Sequence, residues 1–205
     1  SACLNALFQS GFVNPIDAAL RSYEGSAVLC ARHRKVDEIP YDFVRRRLSV
    51  AVENSGDGMW MITKGAFDNV LRICVDARVG GAVRPIDAVR DEVQRLFDEH
   101  SRAGMRVLAV AERRLPTSRL LTHEDEAGMT LLGLLVFEDP LKAGIDETVR
   151  SMNDLGVRLK LLTGDNRFVS ESVMKRIGVA APCILTGSEM RHLGDAALAQ
   201  RVDAV

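Results

Sequence analysis

Apolar and polar positions follow two rhythms along this chain, and the change falls near residue 138. Before it, helix-like and strand-like stretches alternate without a regular β-α beat. Asn5 to Ser10 reads as helical. Pro15 sits where a helix running from about Asp17 to Arg21 begins, the position that tolerates a missing N–H. Phe43–Val52 and Met59–Thr63 read as strands, joined by NSGDG (Asn54 to Gly58), a hairpin turn signal. Phe67 to Cys74 reads as a helix. Ile86, Val89, Val93, Leu96 and Phe97 recur at helical spacing, with Pro85 at the start and Gly104 as the C-cap. Val107–Ala111 and Thr130–Phe137 complete a set of strands with near neighbours in sequence, which predicts an antiparallel sheet carrying helices.

From Pro140 the beat becomes regular. A helix carries Ile145, Val149, Met152 and Leu155 on one face and ends at Gly156. Val157–Leu162 is a short apolar strand, TGDN (Thr163 to Asn166) a loop, and Val169, Val173 and Ile177 mark a helix closed by Gly178. Cys183–Leu185 reads as another strand, and Ser188 or Asp195 caps a last helix. This is the β-α-β-α order of a parallel sheet. The expected fold is therefore α/β in the broad, α+β sense: an antiparallel sheet flanked by helices over residues 1–137, then a partial parallel β-α-β segment over 138–205.

Composition narrows the choice of partners. Of 205 residues, 47% are apolar and 27% charged, a globular mixture. The net charge of -1 excludes a broadly basic nucleic-acid surface, so any positive site is local. The four cysteines (Cys3, Cys30, Cys74, Cys183) form no CxxC pair and read as reduced core thiols, and the four histidines have no metal-ligand spacing. No resident metal site is expected. No apolar run approaches the ~20 residues of a membrane span, and Ser1 to Ser10 lacks the basic start and apolar core of a signal peptide. The expectation is an intracellular chain without direct membrane contact. The absent initiator Met fits a piece of something longer.

The local positive charge lies in DFVRRRLSVA, Asp42 to Ala51. If the strand starts at Phe43, alternation groups Phe43, Arg45, Arg47, Ser49 and Ala51 on one face and leaves Arg46 on the other with Val44, Leu48 and Val50. A hairpin centred near Ser55 and Gly56 then sets Arg47 opposite Lys64, within a residue or two. Like charges across a sheet repel unless an anion or solvent intervenes. An aromatic platform among cations suits a base attached to phosphates, and Gly65 leaves room for a ligand at the backbone. A solvated face of snorkelling arginines explains the same residues. Arg106, at the start of a strand, reaches the same pocket or faces water. Asp17, in the first turn of its helix, reads from spacing alone as a helix-dipole partner. TGDN occupies the place where α/β sheets bind ligands, and Asp165 there suits Mg²⁺ or a proton; an ordinary turn has the same composition. Asp139 in DPLK reads as an acidic N-cap.

Taken in order, NPIDAAL, DFVRRRLSV, TKGAFDNVL, GMRVLAVAER, EDPLK and LKLLTGDN resemble the cytoplasmic nucleotide-binding region of P-type cation-transporting ATPases, across about residues 3 to 195. ALFQSGFVNPIDAAL and KVDEIPYDFVRRRLSV look most like the magnesium-transporting branch. The resemblance implies a nucleotide-binding domain over 1–137 and part of a haloacid-dehalogenase-like phosphorylation domain over 138–205. It implies that Phe43 stacks on adenine, that Lys64 and Gly65 line its pocket, and that Asp17 takes an acidic position near the adenine amino group. Arg45 and Arg106 match arginines that meet phosphates, and Arg47 a further basic position. Asp139 opens a hinge motif, with Leu141 and Lys142 in place of the family's second proline and arginine. Thr163, Gly164 and Asp165 match a TGD motif that positions phosphate and Mg²⁺. The family's KGAPE becomes Lys64-Gly65-Ala66-Phe67-Asp68.

The family's DKTGT motif, with the phosphorylated aspartate, and its GDGxND motif do not occur in this sequence. Aspartyl-phosphate chemistry needs that nucleophile. The expectation is an ATP-binding piece of a magnesium-transporting pump in a bacterial plasma membrane, on its cytoplasmic side. Its cofactors are ATP and Mg²⁺, and its partners are the pump's own actuator and transmembrane domains. By itself it is expected to bind ATP without hydrolysing it. Transport of another cation such as calcium, a haloacid-dehalogenase-type phosphatase using Asp139 or Asp165, and a stand-alone regulatory nucleotide-binding module are the alternatives.

Overall fold

The computed structural model describes residues 1–11, 14–54, 58–116, 120–138, 140–179 and 181–204. These fall into two compact units, Ser1–Phe97 with Val107–Phe137, and Asp98–Arg106 with Glu138–Val205.

The first unit opens with three short helices, α1 (Ala2–Phe8), α2 (Pro15–Arg21) and α3 (Ser26–Arg32). Strands β1 (His33–Ile39), β2 (Arg47–Asn54) and β3 (Gly58–Ala66) follow, then α4 (Phe67–Leu71), β4 (Cys74–Val79), β5 (Ala82–Pro85), α5 (Arg90–Arg102), β6 (Arg106–Leu115) and β7 (Met129–Phe137). Among the described residues they form one seven-stranded sheet in the order β1-β2-β3-β6-β7-β4-β5. The pairs β1–β2, β2–β3, β3–β6 and β4–β5 are antiparallel, and β4–β7 is parallel. The α/β class with a largely antiparallel sheet flanked by helices is thus as the sequence predicts.

Both faces of the central strands are covered, so that Val50, Ala51, Val52, Met61 and Ile62 are buried on successive positions. Ala51, Met59, Met61, Ala109 and Ala111 pack on one side with Phe67, Val70, Leu71 and Val89. Phe67 stacks on Phe97 there, with ring centroids 4.2 Å apart. Leu48, Val50, Val52, Ile62 and Val110 pack on the other side with Leu4, Phe8 and Leu29 from α1 and α3. Each fully buried Val, Leu, Ile, Met or Phe among them contributes roughly 1.5–3 kcal/mol relative to exposure.

Several expectations change. Strand β2 begins at Arg47, not Phe43. The Asp42 carboxylate accepts the N–H groups of Val44 (2.8 Å) and Arg45 (2.6 Å), and Arg46 N–H donates to Asp42 O at 2.8 Å. An aspartate that satisfies its own following amides favours a turn over a ladder. Arg46 leaves that turn at φ 50°, so strand alternation does not apply to residues 43–46. The hairpin register is one residue from that expected: Arg47 faces Gly65, and Leu48 faces Lys64. The turn residues 55–57 lie outside the described residues. β1, β4 and β5 were not foreseen, and α4 stops at Leu71 rather than Cys74. Gly80 and Gly81, both at positive φ, make the β4–β5 turn. Cys74 alone among the cysteines is fully buried; its thiol donates to Val70 O at 3.2 Å and burial pushes its pKa up to about 12. Cys30 and Cys183 are exposed, so the expectation of four core thiols fails.

In the second unit, α6 (Ile145–Asp154), α7 (Arg167–Arg176), α8 (Gly187–Met190) and α9 (Asp195–Ala204) form. α6 starts after Gly144, not at Pro140. Asn166 caps α7, its side chain accepting Val169 N–H at 3.0 Å. The strands expected at 157–162 and 183–185 are absent. A strand exists only through a paired neighbouring strand, and Leu162 is left 96% exposed. No helix among the described residues is long and apolar enough to cross a membrane.

Candidate functional site

Helix α2 and strand β3 bring two charges together inside the first unit. Asn14 caps α2 by accepting Asp17 N–H at 2.9 Å, and Pro15 supplies the first helical position. This turns Asp17 inward. Lys64 projects from β3 on the face that carries Leu48 and Ile62. The two side chains form a buried ion pair, 4% exposed at Lys64 and 1% at Asp17. Gln9 Nε2 also donates to Asp17, at 3.0 Å. The reading of Asp17 as a simple helix-dipole partner gives way to this pairing. Burial pushes the Lys64 pKa down, the nearby Arg21 pushes the same way, and Asp17 opposes them both.

Beside the pair lies a cavity of about 350 Å³, lined by Gln9, Gly11, Asn14, Asp17, Tyr41 and Leu48 among others. That volume suits a small organic ligand. Tyr41, on its wall, meets Phe43 edge-on, with centroids 5.6 Å apart and an interplanar angle of 88°. Phe43 is 86% exposed, and the Asp42–Arg46 turn holds it out. An exposed aromatic face, an apolar wall and a buried acid–base pair together can receive a flat heterocycle with hydrogen-bonding edges.

Arg45 and Arg47 go elsewhere. Both meet the carboxylate of Glu126, at 2.6 and 2.8 Å, and Ser49 Oγ donates to its other oxygen at 2.7 Å. Ser49 in turn bonds Thr63 at 2.7 Å. Arg47 and Ser49 face away from Lys64, because neighbours along a strand alternate. Glu126 escapes any reading of the sequence by spacing: its partners lie 77 to 81 residues away. Gly65 has a local reason. A Cβ there would lie 2.5 Å from Arg46 O and from Arg47 Cβ, so the backbone starting β2 fills the room that was assigned to a ligand.

In the second unit, Arg106 Nη2 donates to both carboxylate oxygens of Asp165, at 2.9 and 3.0 Å. Thr163 Oγ1 donates to Asp165 Oδ2 at 2.9 Å and accepts Asp165 N–H at 3.1 Å. The TGD loop is thus a closed turn around one carboxylate. Asp139 lies outside the described residues. No group of three or more His, Cys, Asp or Glu among the described residues is arranged to hold a metal ion.

A helix-flanked, mostly antiparallel sheet with the buried lysine of a TKGA run defines the class of domain, and comparison with known proteins specifies which. Residues 12–144 match the family described as P-type ATPase, cytoplasmic domain N, and the chain belongs to the P-type ATPases. Magnesium-transporting ATPase, P-type 1 of Escherichia coli (strain K12) is 34% identical over 209 residues, covering 98% of this chain and 23% of that protein. A protein of the same description from Salmonella typhimurium (strain LT2) is 37% identical over 98% of the chain and 23% of its own length. Calcium-transporting ATPase 1 of Bacillus cereus is 25% identical over 83% of the chain and 20% of its own length. The chain therefore spans about a quarter of the magnesium-transporting relatives that it matches.

Proposed function

We propose that this chain binds ATP through its first unit, as the nucleotide-binding domain (1–137) of a magnesium-transporting pump, and that 138–205 is part of that pump's phosphorylation domain. The observation that carries the reading is the cavity lined by Tyr41, which meets the exposed Phe43 edge-on, and by Asp17, whose carboxylate pairs with the buried Lys64 behind it. The adenine ring stacks on Phe43. Asp17 accepts from its amino group, and the Lys64 ammonium donates to a ring nitrogen. Desolvation inside the cavity strengthens these polar contacts while the aromatic contributes contact area. Gly65 serves the pocket indirectly, by letting β2 close on β3 beside Lys64.

Arg106, Thr163 and Asp165 belong to the phosphate-handling part of the proposal. Arg106 is the cation for a phosphate, and its present partner Asp165 is the carboxylate that, with Thr163, positions phosphate and Mg²⁺ when both are bound. Arg45 and Arg47 are further basic residues of the nucleotide-binding set, and Asp139 marks the hinge. Covalent transfer to an aspartate requires a DKTGT segment that these 205 residues do not contain. Hydrolysis and transport are therefore assigned to the pump working with its actuator and transmembrane domains, with this chain on the cytoplasmic side. Magnesium is favoured over calcium because the magnesium-transporting relatives are 34% and 37% identical and the calcium-transporting one 25%.

Titration calorimetry with ATP tests the pocket. Phe43→Ala removes an exposed ring, so the fold stays intact, and the loss of base stacking is expected to weaken binding by on the order of tenfold, taking ~1–3 kcal/mol per stacked base. Equal affinity of variant and parent overturns the pocket assignment.

A further inference from the structure

Glu126 sits between the 3-10 turn His123–Asp125 and β7, in no regular element. Its side chain is nonetheless 0% exposed. It bonds Arg45, Arg47 and Ser49, and both arginines extend the connection. Arg45 Nη2 donates to Pro40 O at 2.8 Å and the same guanidinium ion-pairs with Asp42, the residue that caps the turn. Arg47 Nη1 donates to Asn69 O at 3.1 Å. The C-terminal side of the Phe43-bearing turn is thus tied to one buried carboxylate, and the Arg45 guanidinium passes the connection on to Asp42 and Pro40 at its start.

Apolar burial does not hold this turn, because Phe43 and Val44 are 86% and 89% exposed. Its backbone carries a cost instead, since Arg46 adopts φ 50°. Ala66 N–H to Arg46 O (2.9 Å) is a backbone bond that helps hold it. The Asp42 hydrogen bonds set the turn's local shape, and charge anchors it to the sheet: two guanidinium groups are brought to one carboxylate, and they would repel each other without it.

We propose that Glu126 is a positioning residue for nucleotide recognition, fixing the place of the Phe43 ring through Arg45 and Arg47. The proposal rests on Phe43 being the base-stacking residue. Glu126 itself lies on the sheet face opposite Lys64 and acts through the two arginines.

A double-mutant cycle on the 205-residue chain tests it, with ATP and adenosine titrated in parallel by NMR and folding followed by circular dichroism. Glu126→Gln keeps the shape and removes the charge. The expected result is on the order of tenfold weaker binding of both ligands, equivalent to ~1.4 kcal/mol, and no further loss when Glu126→Gln is added to Phe43→Ala. Adenosine has no phosphates, so an equal loss for both ligands excludes a simple change of charge near phosphate. If Glu126→Gln does not fold, the same cycle is run with Arg45→Gln and adenosine, with the same expectation. Unchanged affinity in the charge variant alongside weakened binding in Phe43→Ala overturns the positioning role alone. Equal losses in both backgrounds overturn it as well, since they report general destabilisation. No effect of Phe43→Ala overturns the stacking reading and this proposal together.

Discussion

Two apolar runs of this chain look alike and end differently. VAVENSGDGMWMIT, in the first unit, becomes the β2–β3 hairpin, with Val50, Ala51, Met61 and Ile62 nearly inaccessible. VRLKLL, residues 157–162 in the second unit, forms no strand, and Leu161 and Leu162 face solvent. Hydrophobicity and β-branching are present in both. The difference is the neighbour: β2 and β3 have each other, then β1 and β6, and helices on both faces. A strand is a property of a pair, because its backbone groups bond to another segment and not within itself. The polar groups differ in the same way. The first unit fully buries the Asp17 and Glu126 carboxylates against cations, whereas the Arg106–Asp165 pair of the second is part-exposed and worth far less.

The largest effect that would break this contrast is at the buried pair. Lys64→Ala leaves the Asp17 carboxylate buried without its partner, and urea unfolding is expected to show a loss of ~3–5 kcal/mol. The double variant Asp17→Leu with Lys64→Met removes both charges and is expected to recover most of that stability while abolishing nucleotide binding. A small loss in Lys64→Ala would mean that the pair is solvated. Next in size, Met61→Ala opens a cavity in the first core and is expected to cost ~2–5 kcal/mol. Leu162→Ala in the second unit, at a 96% exposed site, should stay within about 0.5 kcal/mol. Comparable losses at the two sites would show that 157–162 is paired in solution.

The smallest and sharpest test is the pH dependence of Lys64. Its pKa is lower in the folded chain than the ordinary 10.5, first because of burial. As pH rises from that lowered value to 10.5, the folded chain releases this proton before the unfolded chain does. The unfolded state then holds more protons, and stability rises with pH relative to a Lys64→Met reference. Urea unfolding of both proteins across the alkaline range should show the difference growing up to about the ordinary lysine value and flat beyond it. A difference that falls with pH would mean that Asp17 outweighs burial.

Much of the fold was legible in the sequence because its causes are local. Pro15 starts α2, the TGDN loop leads into α7, and the apolar spacing of Val89, Val93 and Phe97 marks α5, whatever else the chain does. The β2–β3 register came within one residue because a hairpin is set by its own length. Lys64, Asp17 and Phe43 were legible as candidates through the family pattern around them. What their side chains touch was not, since the Asp17–Lys64 pair spans 47 residues of sequence.

By itself, then, the sequence determined the family, the helix starts, the central hairpin and the residues worth watching, each through forces acting over a few positions. Only the tertiary structure decided that Asp42 bends DFVR into a turn, that Arg45 and Arg47 converge on Glu126 while Lys64 faces the other side, and that 157–162 takes no strand conformation. These outcomes depend on which distant segment supplies a partner for a buried charge or an open backbone, and desolvation makes that partner obligatory without the local residues naming it.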